Sequence, residues 1–501
     1  MIARRLGFSV LLLERGKHPR TVIGESSTPL SNLLLEELSL NYDLPRIRPL
    51  SKWGSWQKSY PNLACGLKRG FTFYNHKLGF EADSVKNRQD QLLVAASPND
   101  VIADTHWYRA DFDHFLVQEA QQLGAVYLDE VKLDRFIEER EHVTLHGQRH
   151  AKEVQYQAKF VVDATGPRGF LHRALRLEEL KLPGMPSTQA IFSHFHGVKR
   201  LEDISDTLET PPYPIDDAAV HHIFDGGWIW ILRFNNGLTS AGAAVTNEAA
   251  AHLNLKEGAL AWNRLLQQLP MVQKQFTTAE AILPFTHIPQ LGFRSGRIAG
   301  TRWALLPSAA GFVDPLLSTG FPLTLLGVSR LAEMLACDWD SDRWAENLAA
   351  YASKTDLELL ATSRLSGALY ANMDNFSAFT SVALLYFAAA SFSETARRLK
   401  KPHFAKSFLL HDASHFGAAC EHILTTARTV RSPQEAIALH AEIMHAIEPF
   451  NLAGLGEPSR QNWYPVEEED LLRSAHKVGA SREDIQLLLQ HGGFIAKTTA
   501  V

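Results

Sequence analysis

Short unbroken apolar runs alternate with amphipathic stretches over much of the chain, and a mostly helical pattern fills its last part. Phe8–Glu14 (FSVLLLE) is an apolar run that ends on an acid between Gly7 and Gly16. That is the pattern of a parallel strand covered on both faces. Met1–Leu6 before it reads as the end of a helix closed at Gly7. The strand and glycine turn expected ahead of such a helix are not in the sequence, and a start codon placed too late is the favoured reason. Thr105–Gly124 has the apolar spacing of an amphipathic helix, with Phe112, Phe115, Leu116 and Ala120 on one face. Ala125–Leu128, Lys132–Ile137, His142–His146 and Lys159–Asp163 read as strands, and Ala164–Gly169 as a Gly/Pro turn. Gln189–Gly197, Val220–Phe224, Trp228–Phe234 and Thr239–Val245 predict a second sheet. Trp303–Leu306 is a further short strand, followed by a turn-rich linker and a helix over Pro322–Ala336. From Arg343 to about Leu489 the pattern is mostly helical.

This layout predicts an α/β fold in four stretches: 1–186 and 301–340 in one sheet domain, 187–300 as a substrate-domain β-sheet, and 341–501 as a helical C-terminal region. Fifty Lys+Arg against 55 Asp+Glu give a formal charge of -5 over 501 residues. That balance gives no reason to expect nucleic acid or an anionic membrane as partner over a neutral small molecule. Cys65, Cys337 and Cys420 lie too far apart for a disulfide framework or a CxxC knuckle, so a cytoplasmic location is expected. Asn375–Ser393 carries no formal charge, but five hydroxyl residues and many small ones dilute it, so a buried helix is expected and no membrane span. His411 and His415 stand four apart on a predicted helix without the Glu of HExxH. They, His221–His222 and His194 with His196 are read as structural or surface histidines, and no metal is expected.

Five segments carry the candidate chemistry: LLLERGKHPRTVIGES at Leu11–Ser26, HWYRADFDHFL at His106–Leu116, FVVDATGPRGFL at Phe160–Leu171, GGWIWILRF at Gly226–Phe234 and WALLPSAAGFVDPLLSTG at Trp303–Gly320. An acid at a strand end, as at Glu14, either accepts hydrogen bonds from the ribose of a dinucleotide or is simply solvated. In this order the segments resemble the flavin-dependent halogenases, the tryptophan halogenase-like branch of a wider p-hydroxybenzoate-hydroxylase-like group that includes geranylgeranyl reductases. The resemblance covers about residues 1–335.

It implies a FAD-binding Rossmann-like parallel sheet lacking its first strand, and these roles. Glu14 would hold the adenosine ribose, and Arg109 the adenosine diphosphate moiety. Asp163 and Gly166, in DATG, would form a turn near the cofactor. Ser318, Thr319 and Gly320 would face the isoalloxazine, with the amides of Thr319 and Gly320 near a halide ion. Phe312-x-x-Pro315-x-x-Ser318-x-Gly320 matches the family pattern FxxPxxSxG in full. Trp228 and Trp230 match the indoles of WxWxIP, which would stand between flavin and substrate, although Leu232 and Arg233 replace its Ile and Pro. Lys68, in CGLKRGFTF, is the candidate for the tunnel lysine that hydrogen-bonds hypohalous acid or becomes a chloramine.

The expected reaction is two-component. FAD reduced by a separate flavin reductase would form a C4a-hydroperoxide, halide would give hypohalous acid, and Lys68 would direct it to an electron-rich aromatic, free or carrier-tethered. Leu317 stands where the tryptophan-specific subgroup has a glutamate, which favours a phenol or pyrrole substrate. Two departures remain. The GxGxxG fingerprint is absent, and Pro307-Ser308 replaces the Gly-Asp that holds the ribityl chain in the wider group, leaving Ser308 one uncharged hydrogen bond to offer. Two other readings stay open: a FAD-dependent monooxygenase or reductase acting on an apolar substrate, and a non-catalytic remnant that binds no FAD.

Overall fold

The computed structural model describes residues 1–80, 87–204 and 209–494. Leu11–Leu13 pairs in parallel with Val126–Leu128, and the amide of Glu14 donates to the Leu128 carbonyl at 3.0 Å. Val161–Asp163 pairs in parallel with Trp303–Leu305 in a separate small sheet, so sequence far downstream returns to pair with this part of the chain. A three-stranded antiparallel sheet, Val131–Glu138, Val143–Arg149 and Lys152–Ala158, stands beside it.

The larger sheet has nine strands among the described residues. At its centre Gly227–Arg233 lies antiparallel to Ala219–Phe224 on one side and Thr239–Thr246 on the other. Because side chains alternate along a strand, Trp228 and Trp230 enter one core with the long C-terminal helices, while Ile229 and Ile231 enter another beneath Ala259–Gln267. The sheet also recruits Gly70–Asn75 and Gln91–Ala95 from upstream and Trp463–Tyr464 from near the C-terminus.

Several elements differ from the sequence reading. The stretch read as a helix from Thr105 opens as the strand Asp104–Trp107, and the helix is Arg109–Gln122. Four residues are too few to show a period. Lys68 belongs to a strand, Cys65–Lys68, antiparallel to Asp104–Trp107. The helix Pro29–Asn41 and the strand Lys152–Ala158 were missed; the first mixes polar residues into its buried faces, and the second alternates Val154, Tyr156 and Ala158 with polar residues but was passed over. His411 and His415 do not share a helix. Leu409 and Leu410 have positive φ, and His415 is the N-cap of Phe416–Ala427.

Among the described residues two helices, Gly320–Cys337 and Phe376–Arg398, are long and apolar enough to cross a bilayer. The second is mostly buried within the protein, packed on Trp344–Tyr370 and Pro433–Ile447.

Candidate active site

The strand pair Cys65–Lys68 and Asp104–Trp107 organises the site. A Cβ added to Gly66 would lie 2.0 Å from the Arg233 carbonyl, so glycine lets this strand press against the large sheet. Two residue pairs further on, Lys68 and Asp104 face each other in register.

Lys68 is fully buried. Its Nζ donates to Ser26 Oγ at 2.8 Å and to the Ser27 carbonyl at 2.6 Å, and lies 3.8 Å from the centre of the Phe71 ring. Burial lowers the pKa of this ammonium, and the nearby Asp104 carboxylate opposes that shift. Asp104 is held by Asn32, whose Nδ2 donates to Oδ1 at 2.8 Å, while its buried Oδ2 has no hydrogen-bond partner. Phe71, Tyr386 and Phe387 line a mainly apolar cavity of about 130 Å³ together with Leu489, Glu394 and Arg398.

The other end of the strand leads to the Ser-Thr-Gly turn. The Trp107 ring packs 4.2 Å from that of Phe321, the second residue of the helix Gly320–Cys337. Asp104 and Trp107 are three residues apart, about 10 Å along a strand, so one short strand spans from the buried amine to the turn. Ser318 and Thr319 are buried there, with Ser318 in the left-handed region at φ 54°. Such a backbone costs on the order of 1 kcal/mol outside glycine. Thr319 caps the helix without a side-chain hydrogen bond, so first-turn amides remain to be satisfied. A Cβ at Gly320 would meet nothing within 4 Å, and likewise at Gly166.

Trp228 and Trp230 stand 5.7 Å apart. Trp228 Nε1 donates to Tyr370 Oη at 3.1 Å, and Tyr370 donates onward to Asp314 Oδ2 at 2.8 Å. Burial pushes the Asp314 carboxyl up to about 7. The Trp228 ring lies 5.3 Å from His221, which stacks 4.5 Å from Phe73 and 6.0 Å from Phe71. Rings thus run continuously from the indoles to the ring beneath Lys68. Burial drives His221 down to about 3, so this imidazole is neutral.

The remaining candidates lie around the parallel strands. Glu14 accepts the Gly16 amide at 2.7 Å and meets Arg20 at 3.3 Å. Arg109 is clamped by Asp113 at 2.7 Å and donates to the Gly24 carbonyl at 2.8 Å, two residues before Ser26. Asp163 is engaged internally, accepting from the Thr165 amide and hydroxyl and from the Leu171 amide; it shapes its turn. Ser308 is half-buried in the short helix Pro307–Ala310.

Asp104, Asn32, Asp314, Tyr370 and His221 were not picked out as site residues from sequence. Asp314 stands just before Pro315 of the matched pattern, and His221 reads from sequence as a structural or surface histidine.

The fold and this arrangement define a class. The chain superimposes on the halogenase PltM in complex with phloroglucinol and FAD with a TM-score of 0.81, at 24% identity, over 92% of this chain and 95% of that one. The architecture is therefore the α/β, Rossmann-like fold of the flavin-dependent halogenases. A tryptophan halogenase family profile matches residues 95–371, and the chain belongs to that family. It is 30% identical over 370 residues to tetracycline 7-halogenase of Kitasatospora aureofaciens, covering 72% of this chain and 64% of that protein. It is 27% identical over 359 residues to monodechloroaminopyrrolnitrin halogenase PrnC of Pseudomonas fluorescens, covering 70% of this chain and 62% of the relative. The matched part thus spans less than two-thirds of each of these two curated relatives.

Proposed function

We propose that this protein is a FAD-dependent halogenase of a small electron-rich aromatic, phenol or pyrrole in type. The observation that carries the reading is Lys68: an ammonium with no exposure to solvent, held by Ser26 and Ser27 over a ring that also walls an apolar cavity. A buried lysine of lowered pKa, separated from a cavity by the single ring of Phe71, suits a reactive amine.

The residues fit FAD on three counts. Space is open at Gly166 and Gly320, uncapped amides stand at the start of an 18-residue helix, and Glu14 and Arg109 are brought together through the ion pairs of Arg20 and Asp113. Glu14 would hold the ribose, Arg109 the diphosphate side, and Ser308 and Ser318–Gly320 the flavin side. Bound and reduced by a separate flavin reductase, FAD supplies with oxygen the oxidation of halide to hypohalous acid.

The chain's own part is positioning and exclusion of water. The Thr319 and Gly320 amides, at the positive end of a helix, would hold the halide. Trp228 and Trp230 would keep the aromatic substrate from the flavin side. Lys68 would hold the oxidised halogen beside the cavity, either by donating a hydrogen bond or, as the free amine, by accepting the halogen on Nζ. The cavity volume suits one ring; an engineered cavity of roughly 150 Å³ takes up benzene. The substrate classes of the named relatives agree with an aromatic acceptor: PltM is solved with phloroglucinol, and a brominase of Pseudoalteromonas luteoviolacea acts on carrier-bound pyrrole-2-carbonyl. Free or tethered delivery follows from which of these the present cavity resembles.

The test is halide dependence. Supplied with FAD, a flavin reductase, chloride or bromide and a panel of phenols and pyrroles, the protein should give products whose mass carries the halogen. Products carrying only oxygen at every halide concentration would replace this reading with a monooxygenase.

A further inference from the structure

We propose that Asp104 is the positioning residue for Lys68: the two share one buried proton, and Asp104 decides whether the amine is charged or free. The inference rests on the reading of Lys68 as the reactive amine, and it names a residue that the motifs do not.

The geometry carries it. Lys68 and Asp104 are cross-strand neighbours, which places their side chains on one face of the pair within about 5.5 Å at Cβ. Yet the ammonium hydrogen-bonds Ser26 and Ser27 rather than the carboxylate. Asp104 in turn is anchored through Oδ1 by Asn32, and its Oδ2 is buried with no partner. A buried carboxylate oxygen without a donor is costly as an anion and much less so once protonated. The pair is thus held close without closing into a hydrogen-bonded ion pair, the arrangement in which a proton can reside on either partner.

The surroundings point the same way. The groups that face Asp104 are Lys68 from the neighbouring strand, Asn32 from Pro29–Asn41, and Glu394 and Arg398 from Phe376–Arg398. Tyr386, on that last helix, feels the Asp104 charge, and His106 on Asp104's own strand faces Lys68 and stays neutral through burial. Burial and then Glu394 raise the pKa of Asp104, while Lys68, Asn32 and Arg398 lower it. Arg398 is itself paired with Glu394 at 2.7 Å, so that neighbouring pair largely cancels. The step is a transfer without redox change: an N–H bond of Lys68 breaks, an O–H bond forms on Asp104 Oδ2 with one water relaying the proton, because the two do not hydrogen-bond directly, and the electron pair stays on nitrogen. The amine is then free to accept halogen from hypohalous acid, and the hydroxide released takes one of the two remaining N–H protons and leaves as water.

The test reads the amine directly, without requiring product. In protein labelled with 13C at lysine Cε, the Lys68 resonance, assigned by its loss in Lys68→Arg, is followed against pH in wild type and Asp104→Asn. We expect a two-step titration in the wild type and a single step in Asp104→Asn, displaced to lower pH by about one unit or more, because the carboxylate that favours the charged amine is gone. Asn32→Ala gives a second reading in case Asp104→Asn does not fold: with its donor lost, the Asp104 carboxyl should hold its proton to higher pH and move the first step upward. A Lys68 titration indifferent to both substitutions overturns the inference. The expected titration in a protein that never yields halogenated product would instead uphold the pair and reject the halogenase reading.

Discussion

At the scale of residues, the candidate chemistry was legible in type more than in place. Lys68 stood out because CGLKRGFTF resembles a known neighbourhood, yet a basic residue there reads as a loop until Cys65–Lys68 is seen paired with Asp104–Trp107. The partner Asp104 gives no local signal, since its role exists only across the strand pair. Asp314 and Tyr370 are hidden for the same reason, being 56 positions apart in sequence. They make a residue-scale prediction. Asp314 titrates near 7 when folded, against about 3.9 unfolded, so the native state binds more protons between those values. Its stabilising contribution is therefore complete below about pH 4 and lost as pH rises towards 7, by up to about 1.4 kcal/mol per unit. Asp314→Asn should remove that slope, as seen in urea melts from pH 4 to 8; an unchanged slope would show that Asp314 does not hold the proton. Tyr370→Phe should cost about 1–3 kcal/mol by leaving Trp228 Nε1 and Asp314 without their shared hydroxyl, and should change the emission of the buried indoles.

At the scale of elements, most strands and the long C-terminal helices were read, and several buried or short elements were not. The apolar run of Trp228–Phe234 and the small-residue run of Thr239–Val245 appear as the central strands Gly227–Arg233 and Thr239–Thr246. The strands Gly70–Asn75 and Gln91–Ala95 lie almost wholly in the core, and so lack the polar alternation that marks a strand. Two element-scale predictions follow from packing. A Cβ at Gly242 would lie 2.4 Å from Trp230 and 2.5 Å from the Ile191 carbonyl in the adjacent strand. Gly242→Ala should therefore destabilise by about 1–3 kcal/mol and displace the Trp230 indole, measured by thermal melting and tryptophan fluorescence. Ala390, on Phe376–Arg398, lines the cavity of about 130 Å³. Ala390→Phe should fill it and raise KM for a one-ring substrate about tenfold with kcat less affected; an unchanged KM would place the substrate elsewhere.

At the scale of the whole molecule, the α/β class and the helical C-terminal part were readable from the order of patterns, because each rests on local periodicity. What joins them was not. Trp463–Tyr464 closes one edge of the sheet against Gln91–Ala95, and the cavity takes walls from Phe71 at one end of the chain and Leu489 at the other. Such contacts are fixed by burial of apolar surface in three dimensions, for which the sequence carries no spacing rule. The apolar helix Phe376–Arg398 shows the same point, since its composition suits a bilayer and its place in the protein is a core wall.

The central claim is that oxidised halogen passes from the Ser318–Gly320 turn to the buried Lys68 amine before it reaches the aromatic ring. The most direct measurement follows halogenated product and hydrogen peroxide side by side in wild type and Lys68→Ala, each with FAD, flavin reductase, halide and substrate. The account requires product to fall about a hundredfold or more while peroxide release continues and the far-UV circular dichroism is unchanged. Halogenation at the wild-type rate without the amine would contradict it.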